Sequence, residues 1–201
     1  PDAVGPQSSY LRHPRFLLLI ILLFGAGLRL YDLGAASLWY DEGASLYLGQ
    51  FHDAELRILD PEINNEAPLF SLLVKVWYGL VQALDASTVT ESRHDVLIRL
   101  LPCILGILCI PLVYALAFRL FQQVEPALLA AFLFALSPFQ IYYAQELRVY
   151  TWFVLVALVA TWYLWRALEE NRHGQWIMMI LALALLTYSH FIAVWIIFTF
   201  N

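Results

Sequence analysis

The sequence predicts an all-α, polytopic membrane protein with about five transmembrane helices and amphipathic or juxtamembrane helices in its first extracytoplasmic loop. Of its 201 residues, 62% are hydrophobic and 13% are charged, and the mean hydropathy is +0.70. A soluble domain carries about 25% charged residues, which form its polar shell. Because this chain lacks such a shell, part of its surface must face lipid.

Five apolar segments have the length and composition of membrane spans. They cover residues 16–31, 97–121, 127–143, 151–168 and 176–198. The second segment contains Pro102 and Pro111, which membrane helices tolerate because neighbouring groups satisfy the freed carbonyls. The chain begins at Pro1 and stops just after the last apolar run, so we expect it to be the N-terminal part of a longer protein.

The polar segment 32–95 separates the first two spans and forms the predicted extracytoplasmic loop. Within it, residues 42–51 are expected to form a short helix. The apolar run 68–84 carries Lys75 near its middle and is amphipathic, so we expect it to lie on the membrane surface or to be half inserted.

Positive charges near the short loops set the orientation, because Lys and Arg favour the cytoplasmic side. Treating 68–84 as a surface helix places one group of arginines together on that side: Arg12, Arg15, Arg119, Arg166 and Arg172. The 32–95 loop, the 144–150 break and the end of the last span then face outward. The net charge of −5 and the lack of a basic stripe predict no nucleic-acid partner.

Three polar groups gather on the predicted outer side, where ionisable residues at membrane depth usually serve a function. They are Trp39-Tyr40-Asp41-Glu42, the stretch Gln145-Glu146-Leu147-Arg148-Val149-Tyr150, and His190. The first group follows the first span, the second lies between two spans, and the third lies within the last span. Their occurrence at one face predicts a functional site.

Each member also has a structural interpretation. Asp41 is suited to cap the helix that follows it, and Glu146 and Arg148 to form an ion pair within a loop. His190 is equally suited to an interhelical hydrogen bond, and Arg29 to reach the interface. The tyrosine and tryptophan residues fit an interfacial aromatic belt as well as a ligand site.

The motifs resemble those of the GT-C glycosyltransferases, in particular the bacterial relatives of protein O-mannosyltransferases and aminoarabinose transferases. Four stretches match in order: Ser37-Leu38-Trp39-Tyr40-Asp41-Glu42 after Arg29, Ala67-Pro68-Leu69-Phe70, Leu136-Ser137-Pro138-Phe139-Gln140-Ile141-Tyr142-Tyr143-Ala144-Gln145-Glu146-Leu147-Arg148-Val149-Tyr150, and Tyr188-Ser189-His190-Phe191. The resemblance covers nearly the whole chain and makes residues 1–201 the N-terminal part of a transmembrane domain. It implies a bacterial inner-membrane location with the active site on the extracytoplasmic side.

The resemblance further implies a transferase that takes a sugar from a polyprenyl-phosphate-linked donor and passes it to an acceptor, whether protein, lipid or glycan. Its general base would be Asp41, with Glu42 as the neighbouring catalytic residue, and direct displacement would invert the anomeric centre. The developing phosphate charge would be offset by Arg148 or Arg29. The candidate substrate-binding residues are Arg29, Trp39, Tyr40, Gln145, Glu146, Arg148, Tyr150 and His190.

Two questions stay open from the sequence. A carboxylate pair such as Asp41 and Glu42 is of the type that holds a divalent cation, but adjacency alone predicts no metal site. The alternative function is a transporter or flippase for a lipid-linked substrate, whose charges would line a path near the bilayer midplane, often in repeated halves. A non-enzymatic scaffold accounts for the hydrophobicity but not for the three polar groups.

Overall fold

The computed structural model describes residues 14–50, 68–84 and 91–199, with backbone only at 48–50, 84 and 91–93. These residues form helices and contain no strand, in agreement with the predicted all-α membrane fold. The helices are α1 (Pro14–Leu30), α2 (Tyr40–Gln50), α3 (Pro68–Leu84), α4 (Glu91–Phe121), α5 (Val124–Leu136), α6 (Pro138–Ala144), α7 (Val149–Glu170), α8 (His173–Thr187) and α9 (Ala193–Thr199). Arg12, Ala67 and the loop residues 51–66 lie outside the described ranges.

Two of the described helices are long and apolar enough to cross a membrane, namely His94–Phe121 of α4 and the whole of α7. A third crossing is formed if α5 and α6 are counted together, although they meet at a bend of 56°. Helix α1 has 17 residues and α8 has 15. At a rise of about 1.5 Å per residue, each is shorter than a hydrocarbon core of about 30 Å.

Two of the predicted spans are interrupted in the structure. The 127–143 segment is not one straight helix, because Pro138 has no N–H to continue α5 and a new helix starts there. The 176–198 segment is interrupted between Thr187 and Ala193, where side chains compete with the helical backbone for hydrogen bonds. In this interval the Ile192 N–H donates to His190 Nδ1 at 3.2 Å.

The other elements follow the predictions with small shifts at their ends. The short helix expected over residues 42–51 is α2, and the amphipathic run 68–84 is α3. Helix α4 begins at Glu91, before the predicted 97, because polar residues extend it beyond its apolar part. The position of α3 relative to the membrane surface stays a prediction.

Helix α4 is the central element, and it contacts α1, α3, α5, α6 and α7. Helix α2 lies on α3, and one core joins both of them to the start of α4 and to the segment before α7. Its buried side chains include Leu46, Phe70, Ile98 and Leu147. A backbone bond from the Leu69 N–H to the Tyr188 carbonyl, at 3.2 Å, joins the start of α3 to the end of α8.

The charged side chains of α4 and α7 lie towards the two ends of these helices. Arg99 and Arg119 are 20 residues apart on α4, so they are separated by roughly 30 Å along the helix. At one end, Arg119 Nε donates to Glu169 Oε2 at 2.9 Å, which joins α4 to α7. Between the ends, α4 has no charged residue from 100 to 118 and α7 has none from 149 to 165. We call the two ends the Arg99 end and the Arg119 end.

Helix α4 lies close to α1 and α6 at Gly106. A Cβ atom added there would lie 2.9 Å from the Cβ of Ala144 and 3.2 Å from Arg29 Nε. The Ala144 Cβ is fixed to the backbone and cannot move aside. Gly106 therefore lets α1, α4 and α6 come together at the Arg99 end.

We expect Gly106→Ala to lower the stability of the full-length protein by about 1–3 kcal/mol, because it overfills this contact. Gly27→Ala is the matched control, since a Cβ there meets nothing within 4 Å and alanine favours a helix. The melting temperature in detergent measures both. Equal melting temperatures for the two variants would contradict the close approach at Gly106.

Candidate active site

The site is built around the first turn of α2. Trp39 directly precedes this helix, and Glu42 is its third residue. The Trp39 N–H donates to Glu42 Oε2 at 3.4 Å, which is the return contact of a capping box. Glu42, rather than Asp41, thus makes the side-chain bond that closes the helix start.

Glu42 is also one half of a buried ion pair with Arg99 of α4. Arg99 Nε donates to Glu42 Oε1 at 2.9 Å, and Arg99 Nη2 donates to Glu42 Oε2 at 2.6 Å. The Glu42 side chain is 0% exposed and that of Arg99 is 5% exposed. Two parallel charge-assisted bonds of this kind fix both distance and orientation.

The same pair holds two further segments. The Leu147 N–H donates to Glu42 Oε1 at 2.8 Å, so the connection between α6 and α7 is attached to α2. Arg99 Nη1 donates to the Ala36 carbonyl at 2.6 Å, and Nη2 donates to the Ser37 carbonyl at 3.2 Å. The loop between α1 and α2 is thereby attached to α4.

Asp41 has very different surroundings from its neighbour. Its side chain is 38% exposed, and its Oδ2 lies 3.6 Å from Arg148 Nη2. Ser45 Oγ and Arg148 Nη1 both donate to the Asp41 backbone carbonyl, at 3.1 and 3.4 Å. Of the two adjacent carboxylates, Glu42 is enclosed by the protein and Asp41 is open to a ligand.

An aromatic series runs from Arg148 to His190. The Arg148 guanidinium lies 5.9 Å from the centre of the Tyr150 ring, and Tyr150 lies 6.3 Å from His190 between ring centres. The ring centres of Tyr143 and Tyr150 lie 4.4 Å apart. The structure therefore brings Asp41, Arg148, Tyr150 and His190 together at the Arg99 end.

A pocket of about 320 Å³ lies around the Glu42–Arg99 pair, and its lining does not include Asp41, Arg148, Tyr150 or His190. It is lined by Asp32, Leu33, Ala36, Ser37, Trp39, Glu42, Arg99, Tyr142, Gln145 and Glu146. Glu146 is 8% exposed and so largely enclosed beside this space. The lining combines carboxylate, amide and hydroxyl groups with aromatic rings, so it can accept and donate hydrogen bonds to a polar ligand.

The remaining predicted residues lie apart from the pocket. Arg29 is 0% exposed, and its Nη1 donates to the Ala135 carbonyl at 3.1 Å. Tyr40 is 87% exposed on the outside of α2. Across the described segments, no three His, Cys, Asp or Glu side chains lie close enough together to hold a metal ion.

Sequence reasoning missed Arg99, on which this arrangement depends. Its signal was present, because an arginine inside the predicted span 97–121 is costly and usually functional. The pocket also contains Asp32, which belongs to no motif, and Ser37, which begins the first matched stretch but was not predicted as a site residue. Only the fold brings these residues to Glu42.

We expect Arg99→Met to destabilise the full-length protein by about 3–5 kcal/mol, because it leaves the Glu42 carboxylate buried without its cation. Arg119→Met is the control. Its ion pair with Glu169 is 24% and 42% exposed, and such pairs contribute about 0–1 kcal/mol. Melting temperatures in detergent measure the difference, and a larger loss for Arg119→Met would contradict the role given to Arg99.

Residues 80–200 match the family model described as dolichyl-phosphate-mannose-protein mannosyltransferase. Neither a curated protein nor a solved structure matches the chain significantly. The matched region is more than half of the chain and includes Arg99, residues 145–150 and His190, whereas Asp41 and Glu42 precede it. The family implies a lipid-linked sugar donor in a membrane setting and confirms the GT-C resemblance. The chain therefore belongs to the dolichyl-phosphate-mannose-protein mannosyltransferase family and is an integral membrane glycosyltransferase of the GT-C type.

Proposed function

We propose that the protein transfers a sugar from a polyprenyl-phosphate-linked donor to an acceptor hydroxyl at the extracytoplasmic face, with Asp41 as the general base and inversion at the anomeric carbon. The observation that carries this proposal is the contrast between two adjacent carboxylates. Glu42 is enclosed and bound to Arg99, while Asp41 is open at the same helix start. One carboxylate holds the site together and the other is available for chemistry.

The reaction assigned to Asp41 is a direct displacement. Its carboxylate accepts the proton of the acceptor hydroxyl while the hydroxyl oxygen forms a bond to the anomeric carbon. The bond from that carbon to the phosphate oxygen breaks, and the polyprenyl phosphate leaves with the electron pair. Each step needs the acceptor within hydrogen-bond reach of Asp41, which its 38% exposed side chain permits.

Arg148 is the cation proposed to receive the leaving phosphate. It is 13% exposed and lies 3.6 Å from Asp41, so a phosphate bound to it would be close to the base. Guanidinium groups bind phosphate oxygens through paired, charge-assisted hydrogen bonds. Negative charge develops on the phosphate as the bond breaks, and Arg148 then stabilises the transition state more than the bound donor.

The pocket lined by Glu42, which directly follows Asp41 in the chain, is the proposed place for sugar hydroxyl groups. Trp39 is 47% exposed and offers an aromatic surface, and Glu146 and Gln145 line the same space. Tyr150 and His190 continue the polar and aromatic surface on the other side of Arg148. A donor anchored in the bilayer explains the location of this surface at one end of the bundle, where sugar meets water and the carrier stays in lipid.

The base is tested by Asp41→Asn in the full-length protein. We expect transfer of a labelled sugar from the polyprenyl-phosphate donor to fall by about 10²- to 10⁴-fold, because general base catalysis contributes that much. Glu125→Gln is the matched control, since Glu125 is also an acidic residue in the first turn of a helix and is exposed. Normal turnover by a folded Asp41→Asn protein would rule out the general base.

The side of the membrane is tested by labelling single cysteines in intact cells. We expect Tyr40→Cys, at an 87% exposed position, to react with a membrane-impermeant maleimide from outside. Gln123→Cys, in the exposed turn at the Arg119 end, should react only after permeabilisation. The native Cys103 and Cys109 are 0% exposed and give little background. The reverse labelling pattern would place the site in the cytoplasm.

A further inference from the structure

The end of α5 is completed by a side chain from α1. Since Pro138 has no N–H, the Phe134 carbonyl has no helical donor four residues ahead. Arg29 donates through Nη2 to the Phe134 carbonyl at 3.5 Å and through Nη1 to the Ala135 carbonyl at 3.1 Å. The Ser137 N–H also reaches the Phe134 carbonyl, at 3.3 Å. Arg29 therefore satisfies carbonyls that the break between α5 and α6 leaves free.

The end of α1 is completed in return by a side chain that directly follows α6. Gln145 Nε2 donates to the Tyr31 carbonyl at 2.8 Å and to the Arg29 carbonyl at 3.2 Å. These are among the carbonyls that a helix end leaves without partners. Each of the two chain segments thus supplies the donors that the other lacks.

The Arg29 charge is compensated by carbonyl oxygens and an aromatic ring. Besides the bonds to α5, its Nη1 donates to the Gly25 carbonyl at 3.0 Å, and its guanidinium lies 5.9 Å from the centre of the Phe134 ring. Among the described residues Arg29 forms no ion pair, and it is 0% exposed. Carbonyl dipoles at the C-terminal end of a helix favour a cation, so the end of α5 takes the place of a carboxylate. Gly25 and Gly106 leave room for the guanidinium, since added Cβ atoms would lie 3.4 Å from Nη1 and 3.2 Å from Nε.

We propose that Arg29 and Gln145 are positioning residues, which fix the bend between α5 and α6 and so hold residues 145–148 against Asp41 and Glu42. Two residues beyond Gln145, the Leu147 N–H binds Glu42 at 2.8 Å. One residue further, Arg148 lies 3.6 Å from Asp41. A change in the bend would therefore move Leu147 and Arg148 away from Glu42 and Asp41. This role replaces the substrate binding that the sequence suggested for Arg29, and for Gln145 it is added to its place in the pocket lining.

Two variants distinguish two roles of Arg29: donating hydrogen bonds to the carbonyls of α5, and holding residues 145–148 in position. Arg29→Met leaves the carbonyls of Phe134 and Ala135 without the donor, so the melting temperature of the full-length protein falls. Adding Pro138→Ala supplies an N–H that can bond to the Phe134 carbonyl and lets α5 continue straight into α6. We expect the Arg29→Met/Pro138→Ala protein to regain the melting temperature but not the position of residues 145–148.

Amide hydrogen exchange reports that position without any substrate. Exchange over residues 145–150 should rise by about tenfold in Arg29→Met, the factor that one unsatisfied buried group represents, and should stay fast in the double variant. Arg15→Met is the matched control, because it removes an exposed arginine from the first turn of the same helix. Its exchange over residues 145–150 should equal that of the native protein.

Three results would overturn the proposal. Slow exchange in the double variant would show that Arg29 only satisfies carbonyls, and no recovery of the melting temperature would show that it does not act on them. Exchange in Arg29→Met equal to that in Arg15→Met would show that the bend does not hold the segment. If Arg29→Met does not fold, Gln145→Met is measured in its place. The proposal requires faster exchange over residues 145–150 in this variant, and unchanged exchange would overturn it.

Sugar transfer is measured on the same proteins and rests on the function proposed above. We expect it to stay low in the double variant even where the melting temperature recovers, because Arg148 and Leu147 are displaced from Asp41 and Glu42. Exchange and melting do not depend on the reaction. A native protein that transfers no sugar would therefore count against the proposed function, while the positioning role would still be decided by the other two measurements.

Discussion

The Glu42–Arg99 ion pair is the interaction on which the rest of the site depends. It joins the start of α2 to α4. Glu42 also accepts a hydrogen bond from the Leu147 N–H, and Arg99 donates to carbonyls of the loop before α2. A buried ion pair contributes little net stability by itself, since desolvation offsets much of the attraction. The ion pair matters here because it fixes the positions of the segments that it joins. Three separate chain segments meet at one carboxylate and one guanidinium, which fixes where the open Asp41 carboxylate lies.

Two buried arginines serve the same end of the bundle in different ways. Arg99 is neutralised by a carboxylate, whereas Arg29 is surrounded by backbone carbonyls at the end of α5. Both side chains are buried, and a buried donor without a partner is expensive. Together they define the two supports of the site: one holds the loop before α2, and the other holds the segment after α6. The family match at residues 80–200 covers Arg99 and the segment after α6, whereas Arg29, Glu42 and the loop before α2 precede it.

Composition and hydropathy were enough to predict an all-α membrane protein, because apolar length alone dictates helices in lipid. The helix breaks were harder. Pro138 was visible in the sequence, but proline is tolerated in many membrane helices, as Pro102 and Pro111 within α4 show. The interruption at residues 188–192 depends on His190 and Ser189 side chains bonding to nearby backbone and tryptophan groups. These bonds form only in the folded structure, and no repeating pattern in the sequence predicts them.

Much of the candidate site was predicted from motifs, but the different surroundings of Asp41 and Glu42 were not. Asp41 and Glu42 are adjacent and chemically alike, and only packing against α4 shows that one is enclosed and the other open. This difference in enclosure has a consequence for the response to salt. Counter-ions screen charges that touch water over about 8–10 Å at physiological ionic strength, but they reach buried pairs much less. Rising ionic strength therefore weakens the attraction between Asp41 and Arg148 while the frame around Glu42 keeps its shape.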